Sequence, residues 1–400
     1  MPRNALATGS WMALVVALVV VSGALITYGQ SSAPPSSAAG AGGAAPKTNV
    51  SGPAVRVLNV TALDEKGQAV MDLDGKDFQV YEDDKVQKIT DFYPPMPPVA
   101  GKSASTTLIL FDLLNTIYSQ RENSTTLIVK ALQPLEASDS IFLYVLSNHG
   151  DWYPVHALYT RPQGAVSSDP PWTQQVRPLL DQTIDKVNAL RIEDYKDPGG
   201  RAAATLLALD QIGNAFVKIP GAKSILWLTR GTPNWVDYPY GCKDVPFPDG
   251  GGSYIGGKCT DTCTRRPGVA KCVDYTPFLA HFGQKLARTN IVFSSVLVNT
   301  TQGLPSADLK HGRAALPPAD RGRSRDTMQQ LANVSGGQVY LHGETDQAIT
   351  EALQNGRARY QIMYNAGAPD GKYHAVRVEC ARKGVRIAAP TGYYAEANPG

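Results

Sequence analysis

The sequence predicts a mixed α/β protein, with a mostly parallel sheet covered by helices on both faces and a small antiparallel β-sandwich beside it. Three observations predict this class. Apolar runs such as residues 107–111 (TLILF) are typical of strands buried on both faces. Amphipathic helical segments separate these runs along the chain. Shorter segments with alternating apolar and polar residues occur on either side of the α/β pattern.

The first alternating segment is residues 54–64, AVRVLNVTALD, which predicts a half-buried strand. A turn follows, and residues 72–94 predict another strand pair with an acidic turn at residues 82–84. Two or three strands alone are marginal in water, so this segment must pair with another part of the chain.

The central region alternates between predicted helices and predicted strands. Helical spacing of apolar residues predicts helices over 120–136, 176–190, 202–217, 278–288, 326–334 and 346–356. Short apolar runs predict strands over 107–111, 141–147, 153–159, 224–229, 291–298 and 338–341. This alternation is typical of a parallel sheet in an α/β domain, which we assign to residues 104–357.

The chain returns to β structure near its end. Residues 360–364, 373–378 and 385–387 alternate between apolar and polar, with turns at 369–371 and 382–384. We expect the carboxyl-terminal segment, residues 358–396, to pair with residues 54–100 in one sandwich, because neither is long enough to stand alone. The α/β domain would then be inserted between the halves of the sandwich.

The amino-terminal segment, residues 1–30, indicates export. Arg3 precedes an uncharged apolar run over residues 11–26, the pattern of a signal sequence. The run fits either a cleaved signal peptide or an anchor that tethers the protein to a membrane through residues 11–27. Residues 31–53 are rich in Ser, Ala, Gly and Pro and predict a flexible linker. We expect the periplasm, the cell envelope or the exterior as the location.

Composition and motifs exclude several classes of function. The net charge is +3, from 38 basic and 35 acidic residues, so nothing predicts binding to nucleic acid. The sequence contains no G-x-S-x-G, H-E-x-x-H or G-x-x-x-x-G-K motif, and its six histidines are dispersed. The sequence therefore predicts a protein that is not an enzyme.

Oxygen-bearing side chains follow the first strand of the predicted parallel sheet. Asp112 ends the apolar run, and Asn115 and Thr116 come directly after it. Open α/β sheets bind their ligands at the carboxyl ends of their strands. The three residues are therefore candidate ligands for a divalent cation; the alternative is that they cap and form a turn into the next helix.

Five separated strings carry a resemblance to a known family. They are VRVLNVTALDEKGQAVMDLDGKDFQVYEDDKVQKI, LILFDLLNT, IPGAKSILWLTRGTP, LANVSGGQVY and DGKYHAVRVECARKGVRIAAPTGYY. In this order they resemble the VWFA-related domain proteins of Acidobacteria, within the von Willebrand factor type A superfamily. The resemblance covers residues 54–396 and implies an exported protein with a Rossmann-like A domain.

The resemblance also implies a degenerate form of the metal-ion-dependent adhesion site, D-x-S-x-S. Asp112 matches the Asp, Leu114 stands where the first Ser is expected, and Thr116 replaces the second. In the family this site holds Mg²⁺ or Mn²⁺ through oxygen ligands and leaves one position for a carboxylate of the partner.

Two further loops of the implied ligand face also depart from the family pattern. Arg201 stands near the position of an expected Thr, with Thr205 one turn later, and Thr229-Arg230-Gly231 replaces T-D-G. Because a guanidinium cannot ligate a cation, we expect a metal-free site. If Arg230 faces inward, it would pair with Asp112 and replace the metal electrostatically. A weak divalent-cation site on Asp112, Asn115 and Thr116 is the alternative.

Four cysteines lie in a Gly- and Pro-rich insertion over residues 237–275. In an exported chain, Cys242, Cys259, Cys263 and Cys272 predict two disulfides, with three connectivities open. Zinc binding is the weaker alternative, because the insertion contains no C-x-x-C spacing. Cys380 is left over and is expected to be a buried thiol.

These observations together predict an exported, non-enzymatic interaction protein with an unidentified protein partner and no cofactor. A metal-dependent adhesin is the alternative among binding proteins. The alternatives from other classes are a secreted hydrolase using residues such as Asp112 and His149, and a structural envelope component.

Overall fold

The computed structural model describes residues 55–95, 105–116, 118–132, 140–147, 150–156, 172–189, 198–219, 221–237, 258–260, 272–298, 318–341, 344–367 and 370–395. All of them belong to one compact unit, Ser51–Gly400. The described helices are α1 (Tyr118–Leu132), α2 (Trp172–Ala189), α3 (Pro198–Val217), α4 (Thr276–Arg288), α5 (Pro318–Ser335) and α6 (Thr345–Arg357).

The described strands belong to four sheets. The central sheet contains β5 (Ser105–Asp112), β6 (Ser140–Leu146), β7 (Trp152–His156), β8 (Ala222–Thr229), β12 (Ile291–Leu297) and β13 (Val339–Tyr340). The small sheet of the insertion contains β9 (Trp235–Asp237), β10 (Lys258–Thr260) and β11 (Cys272–Asp274). The remaining two sheets contain β1 (Val55–Leu63), β2 (Phe78–Glu82), β3 (Lys85–Gln87), β4 (Ile89–Tyr93), β14 (Arg359–Asn365), β15 (Tyr373–Cys380), β16 (Arg386–Ala388) and β17 (Gly392–Tyr394).

The central sheet has the spatial order β13-β12-β8-β5-β6-β7. Its strands pair in parallel except β7, which is antiparallel to β6. Counted in chain order from the β7 edge, the arrangement is 3-2-1-4-5-6, and the connections change direction between β5 and β8. Ligands of open α/β sheets bind at such a switch point, beyond the carboxyl ends of the strands.

Helices cover both faces of this sheet because successive side chains of each strand point to opposite faces. Leu108 and Leu110 of β5 join the apolar cluster formed with α3, α4 and α5. Ile109 and Phe111 join the cluster formed with α1, α2 and α6. The near-continuous apolar run in β5 therefore reflects burial on both faces, and the mixed α/β class predicted from the sequence is confirmed.

The β-sandwich consists of two antiparallel sheets, β16-β1-β14-β4 and β17-β15-β2-β3. Strand β1 pairs with β14 from Val55↔Asn365 to Thr61↔Arg359, and β2 pairs with β15. Side chains from both sheets share one apolar core. Each sheet thus combines strands from before and after the α/β region. The chain leaves the sandwich after β4 and returns to it at β14.

Several sequence expectations fall outside the described residues. Residues 1–53, Cys242 and Cys263 are among them, so the signal or anchor segment and the disulfides stay predictions. Among the described helices, none is long and apolar enough to cross a membrane. Cys380 is a free thiol and is partly exposed, where the sequence predicted a buried one.

Candidate functional site

The candidate site lies at the switch point of the central sheet. Asp112 is the last residue of β5, and Thr229 is the last residue of the neighbouring β8. Both side chains are completely buried, and Asn115 and Thr116 are only 8% and 5% exposed. The sequence-predicted residues therefore do come together, but they lie inside the protein.

Neutral donors surround the Asp112 carboxylate. Its Oδ2 accepts hydrogen bonds from Thr229 Oγ1 at 2.6 Å, Asn115 Nδ2 at 2.8 Å and Trp227 Nε1 at 3.1 Å. Its Oδ1 accepts one from the Asn115 backbone N–H at 2.9 Å. A carboxylate offers about four lone-pair sites in all. Oδ2 therefore accepts at least as many bonds as it has lone pairs, whereas Oδ1 accepts one bond and keeps one buried lone pair.

The turn after β5 closes on itself. Thr116 Oγ1 donates to the Asp112 backbone carbonyl at 2.5 Å, and the two bonds from Asn115 hold the same turn from the side-chain end. Leu114, which stands where the adhesion motif has a Ser, belongs to the apolar cluster beneath the sheet. Its side chain contributes to packing and supplies no oxygen to the site.

Helix α3 completes the network on the third side. Thr205 Oγ1 accepts a hydrogen bond from Asn115 Nδ2 at 2.8 Å and donates to the Arg201 backbone carbonyl at 2.8 Å. Thr205 is fully buried, whereas Arg201 is half-buried and takes part through its backbone. The polar groups of β5, β8 and α3 are thus joined by direct bonds.

The loop after β8 is fixed by the same threonine. Thr229 Oγ1 accepts a hydrogen bond from the Gly231 N–H at 2.8 Å while it donates to Asp112. Gly231 has φ +81°, a left-handed conformation that favours glycine. Arg230 is half-buried and is not among the donors to Asp112. The expectation that Arg230 pairs with Asp112 is therefore wrong, because neutral donors occupy the carboxylate.

Burial sets the electrostatics of this carboxylate. Removal from water raises the pKa of Asp112, since the charged form loses its hydration. The hydrogen bonds from Thr229, Asn115 and Trp227 act in the opposite direction, and burial outweighs them. Among the described residues, only neutral groups donate to this carboxylate, and they offset part of the cost of burying its charge.

Sequence reasoning missed Trp227 as a member of this site. It lies two residues before Thr229 on β8, so the two side chains share one face of the sheet. Trp227 is fully buried, and a buried indole N–H usually finds an acceptor. The need of the Trp227 indole N–H for an acceptor could have pointed to this site. The sequence alone does not say which of several possible acceptors that is.

The insertion begins beside the site. Strands β9, β10 and β11 form a three-stranded antiparallel sheet, with Cys259 opposite Val273 and Cys272 opposite Thr260 on neighbouring strands. At its base, the Tyr275 hydroxyl donates to the Gly199 carbonyl, 3.1 Å away in the first turn of α3. The described base of the insertion is therefore anchored at the same end of the sheet as Asp112.

A second polar cluster lies in the sandwich. His374 contacts Asp83 through Nδ1 at 2.7 Å and Asp370 through Nε2 at 3.0 Å, which joins two turns. The bonds from Asp370 and Asp83 raise the pKa of His374, and the bonds from His374 and the Ala375 N–H lower the pKa of Asp83. Glu82 lies beside them and accepts hydrogen bonds from the Tyr364 and Tyr393 hydroxyls. The imidazolium form of His374 thus clamps the turns.

Comparisons with known proteins give only remote similarities. No family model and no curated protein matches the chain. An aerotolerance-related membrane protein from Bacteroides fragilis has 11% identity over 63% of this chain and 98% of its own, with a TM-score of 0.31. BatB from Bacteroides thetaiotaomicron has 11% identity over 63% and 96%, with a TM-score of 0.31. The three N-terminal domains of the type V pilus tip protein Mfa5 from Porphyromonas gingivalis have 8% identity over 84% and 69%, with a TM-score of 0.33. Similarities at this level carry no functional argument.

Proposed function

We propose that this chain is an exported, non-enzymatic interaction protein built on a von Willebrand factor A-type domain whose ligand face works without a metal ion. The observation that carries this proposal is that four hydrogen bonds from neutral groups hold the buried Asp112 carboxylate at the switch point. The strand order and the five sequence strings support the domain type.

The metal-free reading follows from the chemistry of the donors. Mg²⁺ and Ca²⁺ need several oxygen lone pairs at about 2.0–2.6 Å. Asp112 has one lone pair left, on Oδ1, and its Oδ2 can take a cation only if Trp227, Thr229 or Asn115 gives up its bond. Each donor displaced in this way would lose a buried hydrogen bond, at a cost of about 1–3 kcal/mol.

The non-enzymatic reading rests on the same burial. A general acid or base must come within hydrogen-bond reach of its substrate. Asp112 has no exposed surface, and its neighbours Thr205 and Thr229 have none either. The network instead joins β5, β8 and α3 into a firm platform. We infer that the partner contacts the rim of this platform, near Arg201, Arg230 and the insertion anchored at Gly199.

The metal arm of the proposal is tested by thermal melting of the purified chain in EDTA and then in excess Mg²⁺, Mn²⁺ or Ca²⁺. A ligand that binds only the folded state raises the midpoint in a saturable way. We expect no such shift for the wild-type chain or for Asp112→Asn. A saturable shift in the wild type that disappears in Asp112→Asn would establish a metal-dependent adhesin instead.

The interaction arm is tested by site-specific photo-crosslinking in the native envelope fraction. One crosslinker replaces Arg201 in the first turns of α3, and the control replaces Lys218, which is exposed just after the other end of the helix. We expect a saturable protein adduct from position 201 alone. Equal adducts at both positions, or turnover of a hydrolase substrate that Asp112→Asn abolishes, would contradict the proposal.

A further inference from the structure

A small polar cavity lies at the end of the central sheet opposite Asp112. It is lined at the amino ends of β5 and β8 by Thr107 and Ser224, and from the sandwich side by Thr61 and Arg359. Its volume is about 10 Å³. A cavity of roughly 10–15 Å³ by this measure holds one water-sized occupant. The site therefore has room for one water molecule or one monatomic ion and for nothing larger.

The guanidinium of Arg359 is the dominant charge in this cavity. Arg359 is 7% exposed, and its Nη1 donates to the Lys223 carbonyl at 3.0 Å. Its Nε and Nη2 are buried and have no acceptor in the part of the chain that the structure describes. Burial lowers the pKa of Arg359 to about 10, so the side chain remains a cation at neutral pH.

The surroundings do not supply a counter-charge. Arg359 forms no ion pair with a carboxylate among the described residues. Lys223 is a second buried cation, and its Nζ donates to the Ile219 carbonyl at 2.8 Å. An uncompensated buried charge destabilises a folded protein, so an anion bound here would stabilise this one.

The uncharged groups of the cavity also offer hydrogen-bond donors. The Tyr340 hydroxyl accepts a bond from Asn355 Nδ2 at 3.2 Å, which leaves its own proton to donate. Thr107 Oγ1 and Ser224 Oγ lie 2.8 Å apart, and when Thr107 donates, the Ser224 proton is available as well. Guanidinium and hydroxyl donors that converge on one small space are suited to an anion.

We propose that this cavity binds a single halide ion, chloride under physiological conditions, held by Arg359. The size of the space selects a monatomic ion over phosphate, sulfate or a carboxylate. Water fits the space but supplies no charge. The ion would join the two parts of the fold, because Arg359 pairs with Thr61 of β1 and hydrogen-bonds to β8.

The direct test is a crystal of the wild-type chain grown in bromide, measured at the bromine absorption edge. We expect an anomalous peak within about 3.5 Å of the Arg359 guanidinium, the range of a contact to a hydrogen-bond donor. A water peak without anomalous signal at this position would overturn the proposal. This test needs no substitution and is independent of whether a variant folds.

The solution test measures unfolding midpoints at constant ionic strength while chloride replaces gluconate, an anion too large for the cavity. We expect saturable stabilisation of the wild type, with the unfolding equilibrium constant reduced about a hundredfold at a hundredfold excess over the Kd. Arg359→Met removes the cation and is expected to lose this response. Arg357→Met is the control, because it removes a nearby cation that does not line the cavity. The same chloride response in all three proteins would contradict the assignment.

Discussion

The hydroxyl of Thr229 is the most informative single group in the Asp112 network. It donates to Asp112 Oδ2 at 2.6 Å and accepts from the Gly231 N–H at 2.8 Å. Replacement by valine keeps the shape of the side chain and removes both bonds. The variant therefore measures how far the buried carboxylate depends on its neutral donors.

The magnitude can be worked from these two contacts. A hydrogen bond to a charged group contributes about 1.5–3 kcal/mol, and an unsatisfied buried N–H costs about 1–3 kcal/mol. The methyl group that valine adds offsets about 1 kcal/mol. We expect Thr229→Val to lower the free energy of unfolding by about 1.5–5 kcal/mol, a large share of the roughly 5–15 kcal/mol typical of a folded protein.

Urea-induced unfolding at neutral pH checks this prediction, with Thr229→Ser as the matched control. Serine keeps the hydroxyl and loses one buried methyl, so we expect a cost near 1 kcal/mol. A valine variant with a midpoint equal to or above that of the serine variant would refute the reasoning. The Asp112 carboxylate would then not depend on this donor, and the metal-free proposal would lose its support.

Three further predictions address other parts of the molecule. The raised pKa of Asp112 means that the folded state binds more protons than the unfolded state just above pH 3.8, so stability falls as pH rises through that window. Asp112→Asn is expected to remove this component from a pH series of unfolding midpoints, and an unchanged slope would contradict the assignment. The raised pKa of His374 gives a contribution that is complete below pH 6.5 and is lost as pH rises through the folded-state pKa. His374→Gln should lower stability at pH 6 and change it much less at pH 9, and equal losses at both values would speak against the clamp. Gly231→Ala and Gly221→Ala both place a side chain at positive φ, but only the first brings a Cβ within 2.7 Å of another side chain, Ser324. We expect costs of about 2–4 and about 1–2 kcal/mol respectively by denaturant unfolding, and equal costs would show that the contact relaxes freely.

The elements of the fold follow from local patterns in the sequence. The run TLILF could be assigned to a doubly buried strand because apolar residues on both faces leave no alternation. The carboxyl-end position of Asp112 follows from the same strand. Local patterns do not specify registers, such as Val55 opposite Asn365, because these depend on contacts between residues far apart in the chain.

The hydrogen-bond partners within the site could not be predicted from the sequence for a similar reason. Trp227 reaches Asp112 across 115 positions of the chain, and nothing near either residue selects that partner. Arg230 was expected to supply the missing charge, yet it is not a donor to Asp112 because Trp227, Thr229 and Asn115 already occupy the carboxylate. Residue types predicted where chemistry would concentrate, but geometry decided which groups meet.

The closing of each sandwich sheet by strands from both ends of the chain has a mechanical consequence. Tension applied between residue 55 and residue 395 is borne by the terminal strands of the sandwich, β1 paired with β14 and β17 paired with β15. The α/β region between β4 and β14 starts and finishes on neighbouring strands, so it is shielded from the load until the sandwich yields. A protein pulled from both sides of its sandwich would therefore keep the region around Asp112 folded under force.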